Sequence, residues 1–198
     1  MPALVTPAPV VTPTVVTPVS LANGYALGQA GAKVTVEVWE DFQCPFCRKY
    51  SEEVEPQVIA AYVATGRVRY VFRDLPFLGN ESGWAAVAAR LASQQGKFWP
   101  YHDYLYANLL GENVGSFSVD RLKLIADAVG LDRKAFDAGL EIDAARATFA
   151  DIGAESQPDA SRLGIKSTPT IVVNDKPVSG NDWAAVKAAI DAALAAAR

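Results

Sequence analysis

The chain is sparing with the residues that usually carry polar chemistry. It has two cysteines, one histidine and one methionine among 198 residues. Two cysteines and one distant histidine, His102, cannot supply the four ligands of a closed zinc site within one chain; only an interface between copies could complete one. No run of about 18 apolar residues occurs, so this chain carries no membrane-spanning helix. There is no long basic run, and the net charge is −4, which argues against nucleic acid as a partner. No glycine-rich phosphate loop and no metal-ligand cluster can be read along it. What it has in quantity is apolar surface: 51% of residues are hydrophobic, with four Trp, seven Tyr and eight Phe. That suits one packed domain, or one domain carrying a sizeable insertion.

The N-terminal stretch MPALVTPAPVVTPTVVTPVS is dominated by Pro, Thr and Val and has no charge. Repeated proline blocks helix and sheet ladders and pushes each preceding residue toward extended geometry. Residues 1–22 therefore read as a semi-rigid extended tether, and residues 23–198 as the folded domain. The stretch lacks the basic start and continuous apolar centre of a signal peptide. A tether of this kind is expected to join an extracytoplasmic domain to a removed signal or a membrane anchor upstream. A disordered N-terminus is the plainer alternative.

In the domain, KVTVEVW (33–39) alternates and is β-branched, which predicts a strand running directly into EDFQCPFC. Helical spacing of Tyr50, Val54, Val58 and Ala61 predicts a helix from Pro45 to Thr65, kinked near Pro56 and stopped at Gly66. RVRYVFRDLP (67–76) is a second strand, completing a β-α-β unit. From Glu81 to Gly164 the pattern is helical. Pro100 stands at one helix start, Asp120 and Asp132 are expected to cap two others, and a helix from Ile142 to Ser156 is expected to stop before Pro158. TPTIVVN (168–174) and KPVSG (176–180) form a hairpin, followed by an Ala-rich helix from Asp182 to Ala196. The fold class is α/β: a β-α-β half and a β-β-α half flanking a helical insertion over 81–164.

Cys44 and Cys47 lie between the first strand and the first long helix. A structural disulfide across two intervening residues closes too small a loop to remove much unfolded-state entropy. A redox pair has a mechanism. Cys44 sits at a helix N-terminus, where free backbone N–H groups and the helix dipole favour a thiolate. Pro45 occupies the first helical position, where a missing N–H costs least. Cys47, one turn in, is expected to be buried while Cys44 is exposed, so that one thiol attacks and the other resolves.

EDFQCPFC, the strand VRYVFRDLP, the block containing FWPYHDYLYAN and the segment RLGIKSTPT together make the chain, over residues 24–196, resemble the DsbA-type thioredoxin-fold disulfide oxidoreductases of bacterial extracytoplasmic spaces. The resemblance implies a thioredoxin fold and a cis bond at Pro169. It places the backbone of Thr168 beside the thiols as a substrate-binding edge. It implies an extracytoplasmic thiol:disulfide oxidoreductase acting on reduced, unfolded proteins, working as a monomer and reoxidised by a quinone-linked membrane partner. No cofactor is implied beyond the Cys44–Cys47 disulfide.

Two positions depart from the family pattern. Well-known oxidases carry His where this chain has Phe46, which offers an apolar platform and no hydrogen bond. Many members carry a buried acid where this chain has Val38. Glu40, with the strand parity of Val38, is the preferred substitute as a proton relay. Asp41 is expected to support the turn, and His102 to be a surface or packed helix residue. Rival readings are a reductase or isomerase of the same fold, a cytoplasmic relative, and a peptide-binding chaperone whose groove matters more than its thiols.

Overall fold

The computed structural model describes residues 7–197. Its centre is a six-stranded sheet: β1 (Ala22–Asn23), β2 (Ala26–Leu27), β3 (Val34–Glu40), β4 (Val68–Asp74), β5 (Thr170–Val173) and β6 (Lys176–Pro177), in the order β1-β2-β4-β3-β5-β6. β3 and β4 run parallel from Val34 beside Val68 to Glu40 beside Asp74, while β5 lies antiparallel on the other side of β3. Central position gives β3 two covered faces. Val34, Val36 and Val38 enter the larger core; Trp39 enters a second one with Leu75, Ala160 and Val172. Glu40 follows the parity of the valines and is carried into the larger core as a buried carboxylate.

The helices are α1 (Pro45–Glu53), α2 (Glu55–Val58), α3 (Asn80–Gln94), α4 (Phe98–Ala107), α5 (Val119–Val129), α6 (Arg133–Gly139), α7 (Ile142–Leu163) and α8 (Trp183–Ala196). The expected kink near Pro56 is present as a break at Val54 between α1 and α2, where Pro56 brings no N–H. A π turn, Ile59–Val63, then closes this segment, a feature with no sequence signature of its own. Gly130 ends α5 in the left-handed region at φ 73°, and the Asp132 and Asp182 side chains cap α6 and α8.

Two expectations differ from the structure, and one element had no expectation. α5 begins at Val119 with Ser118 at the cap position, so Asp120 lies inside the first turn and not at the cap. α7 continues through Pro158 to Leu163. Ala160 packs under Trp39, and that burial holds the last turns helical despite one missing donor. The hairpin β1–β2, added antiparallel to the edge of β4, is too short to give a periodic signal.

The proline-rich segment, as far as it is described, takes neither helix nor strand from residue 7 to Pro18. It is laid against the domain. The Val11 N–H donates to Asn108 Oδ1 at 2.8 Å, and Asn108 Nδ2 donates back to the Val11 carbonyl at 2.9 Å. Thr17 is buried. Residues 1–6 of the expected tether lie outside the described residues.

Candidate active site

β3 ends at Glu40, and the chain turns through Asp41–Gln43 to start α1 at Pro45, with Cys44 as the cap residue. Asp41 builds this turn, as expected: Oδ1 accepts from the Gln43 N–H at 2.8 Å, and Oδ2 accepts from the N–H groups of Phe77 and Leu78 at 2.9 and 3.0 Å. One carboxylate thus ties the cysteine turn to the rim loop that carries Phe77.

Cys47 is fully buried, as expected, but Cys44 is also nearly covered, at 5% exposure. The exposed residues of the motif are Pro45 and Phe46, the latter at 66%. Cys44 is covered because the loop before β5 closes over it. The Thr168–Pro169 bond is cis, and the Cys44 thiol donates to the Thr168 carbonyl at 3.4 Å. Sulfur attack at Cys44 therefore follows a narrow approach beside Phe46 and Thr168.

The two thiols have opposite protonation preferences. A hydrogen bond from the Cys47 thiol holds the Cys44 thiolate. Burial works against it, and the Thr168 hydroxyl and the backbone N–H groups of Cys47 and Phe46 add to the hold, bringing Cys44 down to about 6. The Thr168 hydroxyl is buried and closes no hydrogen bond in this structure, so it is free to turn to the thiolate. Cys47 is pushed well up, first by burial, then by serving Cys44 as donor and by the nearby charge of Glu40.

Glu40 lies near enough to Cys47 for its charge to raise that thiol, and it has company that sequence reasoning missed. Glu55 from α2, with His102 and Asp103 from α4, share its buried compartment. His102, expected to be a surface or packed helix residue, is packed on α4 and is also the centre of this cluster. Nδ1 meets Asp103 Oδ1 at 3.0 Å, and Nε2 lies 3.9 Å from Glu40 Oε2 and 4.0 Å from Glu55 Oε2. The Tyr106 hydroxyl donates to Glu40 Oε2 at 3.2 Å, and the Tyr70 hydroxyl to Glu55 Oε2 at 2.8 Å. Burial raises Glu40 and takes Glu55 to about 8. Burial pulls the imidazole down, but the carboxylates of Glu55, Asp103 and Glu40 outweigh it and lift His102 to about 10. One imidazolium cannot neutralise every carboxylate around it, so Glu55 holds a proton near neutral pH and Glu40 is biased the same way. Glu40, Glu55 and His102 offer one ligand atom each within 4.8 Å of one another. Three such atoms fall short of a closed four-ligand zinc set, and both carboxylates already accept tyrosine hydroxyls. The only advance signal was a lone histidine beside an acid in an aromatic helix. Glu37, three residues earlier on β3, points to the opposite face and pairs with Arg73.

Adjacent thiols, one stabilised as thiolate and one as thiol, are what dithiol–disulfide exchange needs. A family model described as Thioredoxin matches residues 20–192, so the chain belongs to that family, as a thiol:disulfide oxidoreductase of the DsbA type. The disulfide bond formation protein D of Bacillus subtilis is 26% identical over 190 residues, covering 88% of this chain and 79% of that protein. Among solved structures, oxidised BdbD of Bacillus subtilis overlays with a TM-score of 0.75 at 22% identity, covering 96% of this chain and all of the other. A thioredoxin-like oxidoreductase of Silicibacter pomeroyi is 34% identical with a TM-score of 0.67, covering 85% of this chain and 90% of that one.

Proposed function

We propose that this protein is an oxidant that introduces disulfides into reduced, unfolded proteins outside the cytoplasm. The observation that carries this direction is the lowering of Cys44 to about 6. A stabilised thiolate favours the reduced enzyme, which makes its disulfide a good electron acceptor. A substrate thiolate attacks Sγ of Cys44 in the Cys44–Cys47 disulfide. The sulfur–sulfur bond breaks, and Cys47 leaves and takes a proton. The second substrate thiolate then attacks the substrate sulfur of the mixed disulfide and expels Cys44 as thiolate. The substrate loses two electrons, and the enzyme gains them as a dithiol.

Glu40 is the acid that gives this proton to Cys47 and takes it back during reoxidation; its burial beside Cys47 supports that role. Thr168 and Pro169 present the edge on which an extended substrate segment lies, with Phe46 as an apolar platform. The electrons travel through the cysteines alone, without a bound cofactor. A quinone-linked membrane protein removes them, and the enzyme works as a monomer held through its N-terminal segment. Relatives named for disulfide bond formation support the direction. Among the described residues, no helix is long and apolar enough to cross a membrane.

Trapping tests the assignment of the nucleophile. Cys47→Ala, mixed with a scrambled substrate, is expected to accumulate a mixed disulfide on a non-reducing gel, and Cys44→Ala none. Equal adducts from both variants would refute it.

A further inference from the structure

The proline-rich segment reaches the buried acid cluster through Thr17, at Asp103 and Glu55. Thr17 alone of it is buried among charged groups. Its N–H donates to Asp103 Oδ2 at 2.7 Å and its hydroxyl to Asp103 Oδ1 at 2.9 Å, so one residue occupies both oxygens of that carboxylate. The same hydroxyl lies 3.5 Å from Glu55 Oε1. Asp103 Oδ1 also faces His102 Nδ1, which places the Nδ1 proton toward Asp103 and leaves Nε2 toward Glu40 and Glu55. The ring cannot turn away: Phe42, Phe72, Trp99 and Tyr106 enclose it with ring centres 4.9–5.9 Å distant. His102 Nε2 and Glu40 Oε1 are both buried without a hydrogen-bond partner. Two unpartnered groups, one of them on the carboxylate whose charge acts on Cys47, are costly as architecture alone.

We propose that the N-terminal segment is a working part of the redox site. Thr17 holds Asp103, Asp103 holds His102, and His102 sets the proton affinity of Glu40 and so the rate at which Cys47 can be deprotonated. Thr17, Asp103 and His102 are positioning residues; none touches substrate. The proposal rests on the reading of Glu40 as the proton partner of Cys47. The other groups facing this path are Glu55 on α2, Tyr50 on α1, Tyr70 on β4 and Tyr106 on α4; the three tyrosines are pushed well up and stay neutral. The imidazolium charge lowers Glu40 against its burial. When that charge is removed or loosened, Glu40 keeps its proton to higher pH, and it accepts one from Cys47 only there.

The test follows ring closure in the full-length protein. The Cys44–glutathione mixed disulfide is prepared, and its resolution by Cys47 is timed by stopped-flow fluorescence from pH 5 to 9. His102→Gln and Thr17→Val are expected to slow resolution at least 10-fold at pH 6 and to move its pH profile upward. Thr17→Ser should restore the profile, and alkylation of Cys44 should keep its own. A wild-type profile in Thr17→Val would overturn the role of the segment. If His102→Gln does not fold, Thr17→Val and a chain beginning at Pro18 decide alone. Glu40→Gln separates the two readings. If it too leaves the profile unmoved, Glu40 is not the proton partner. If it moves the profile and Thr17→Val does not, only the inference about the segment fails.

Discussion

Cys44 is ringed by donors: the thiol of Cys47, the hydroxyl of Thr168 and two backbone N–H groups at the start of α1. Its alkylation rate in the reduced protein is expected to rise through a midpoint near pH 6, with Cys47 unlabelled; a midpoint near the ordinary thiol value of about 8.5 would contradict this. The same shift links to stability. Between about pH 6 and 8.5 the unfolded chain carries a proton on Cys44 that the folded, reduced chain does not. The reduced form therefore gains stability as pH rises through that window and loses it as pH falls to 6. The oxidised form has no such term, so the reduced-minus-oxidised difference in Tm should widen from pH 6 to 8. Phe46 bears on the same sulfur by omission. A histidine there could donate to the thiolate. At so exposed a position the lower end of a charged hydrogen bond applies, about 1.5 kcal/mol, or roughly 30 mV for two electrons. Phe46→His should raise the reduction potential by about that amount and increase the thiolate fraction at acid pH. An unchanged potential in a glutathione titration would show that ring position to be out of reach of the sulfur.

α7 carries an exposed proline in its interior. A proline there costs about 3 kcal/mol, offset by about 1 kcal/mol through restriction of the unfolded chain. Pro158→Ala should thus stabilise the protein by about 2 kcal/mol, read as a higher urea midpoint at constant m-value; a lower midpoint would mean that α7 needs its present curvature to seat Ala160 under Trp39. The same helix marks a limit of sequence reading. Pro158 is a local stop signal, and the burial of Ala160 that overrides it is a tertiary fact. Elements with strong local signals were legible: the alternation of β3, the strand β4, the Asp132 cap and the break ahead of Pro56. The π turn at Ile59–Val63 and the short hairpin β1–β2 were not, since neither has a period long enough to register.

Across the molecule, the site was legible in proportion to its closeness in sequence. Cys44, Pro45, Phe46 and Cys47 lie together in the chain, and Thr168–Pro169 stood out as a Thr-Pro pair before the last hairpin. Glu40 followed from strand parity. Glu55, Asp103 and Thr17 were invisible because three separate segments bring them together, and each alone reads as a solvated or tether residue. Cys44, expected to be open, is covered by a loop whose position only the fold determines. The assembled site stabilises a thiolate at Cys44 and holds protons beneath Cys47, a combination that favours the reduced enzyme and hence an oxidising disulfide. Equilibration of the wild-type protein against mixtures of reduced and oxidised glutathione, followed by tryptophan fluorescence, reads that balance directly. The potential is expected to lie well above that of thioredoxin, about −270 mV, and within tens of millivolts of strongly oxidising relatives near −120 mV. A value at or below about −270 mV would contradict the oxidant and make the protein a reductase built on the same fold.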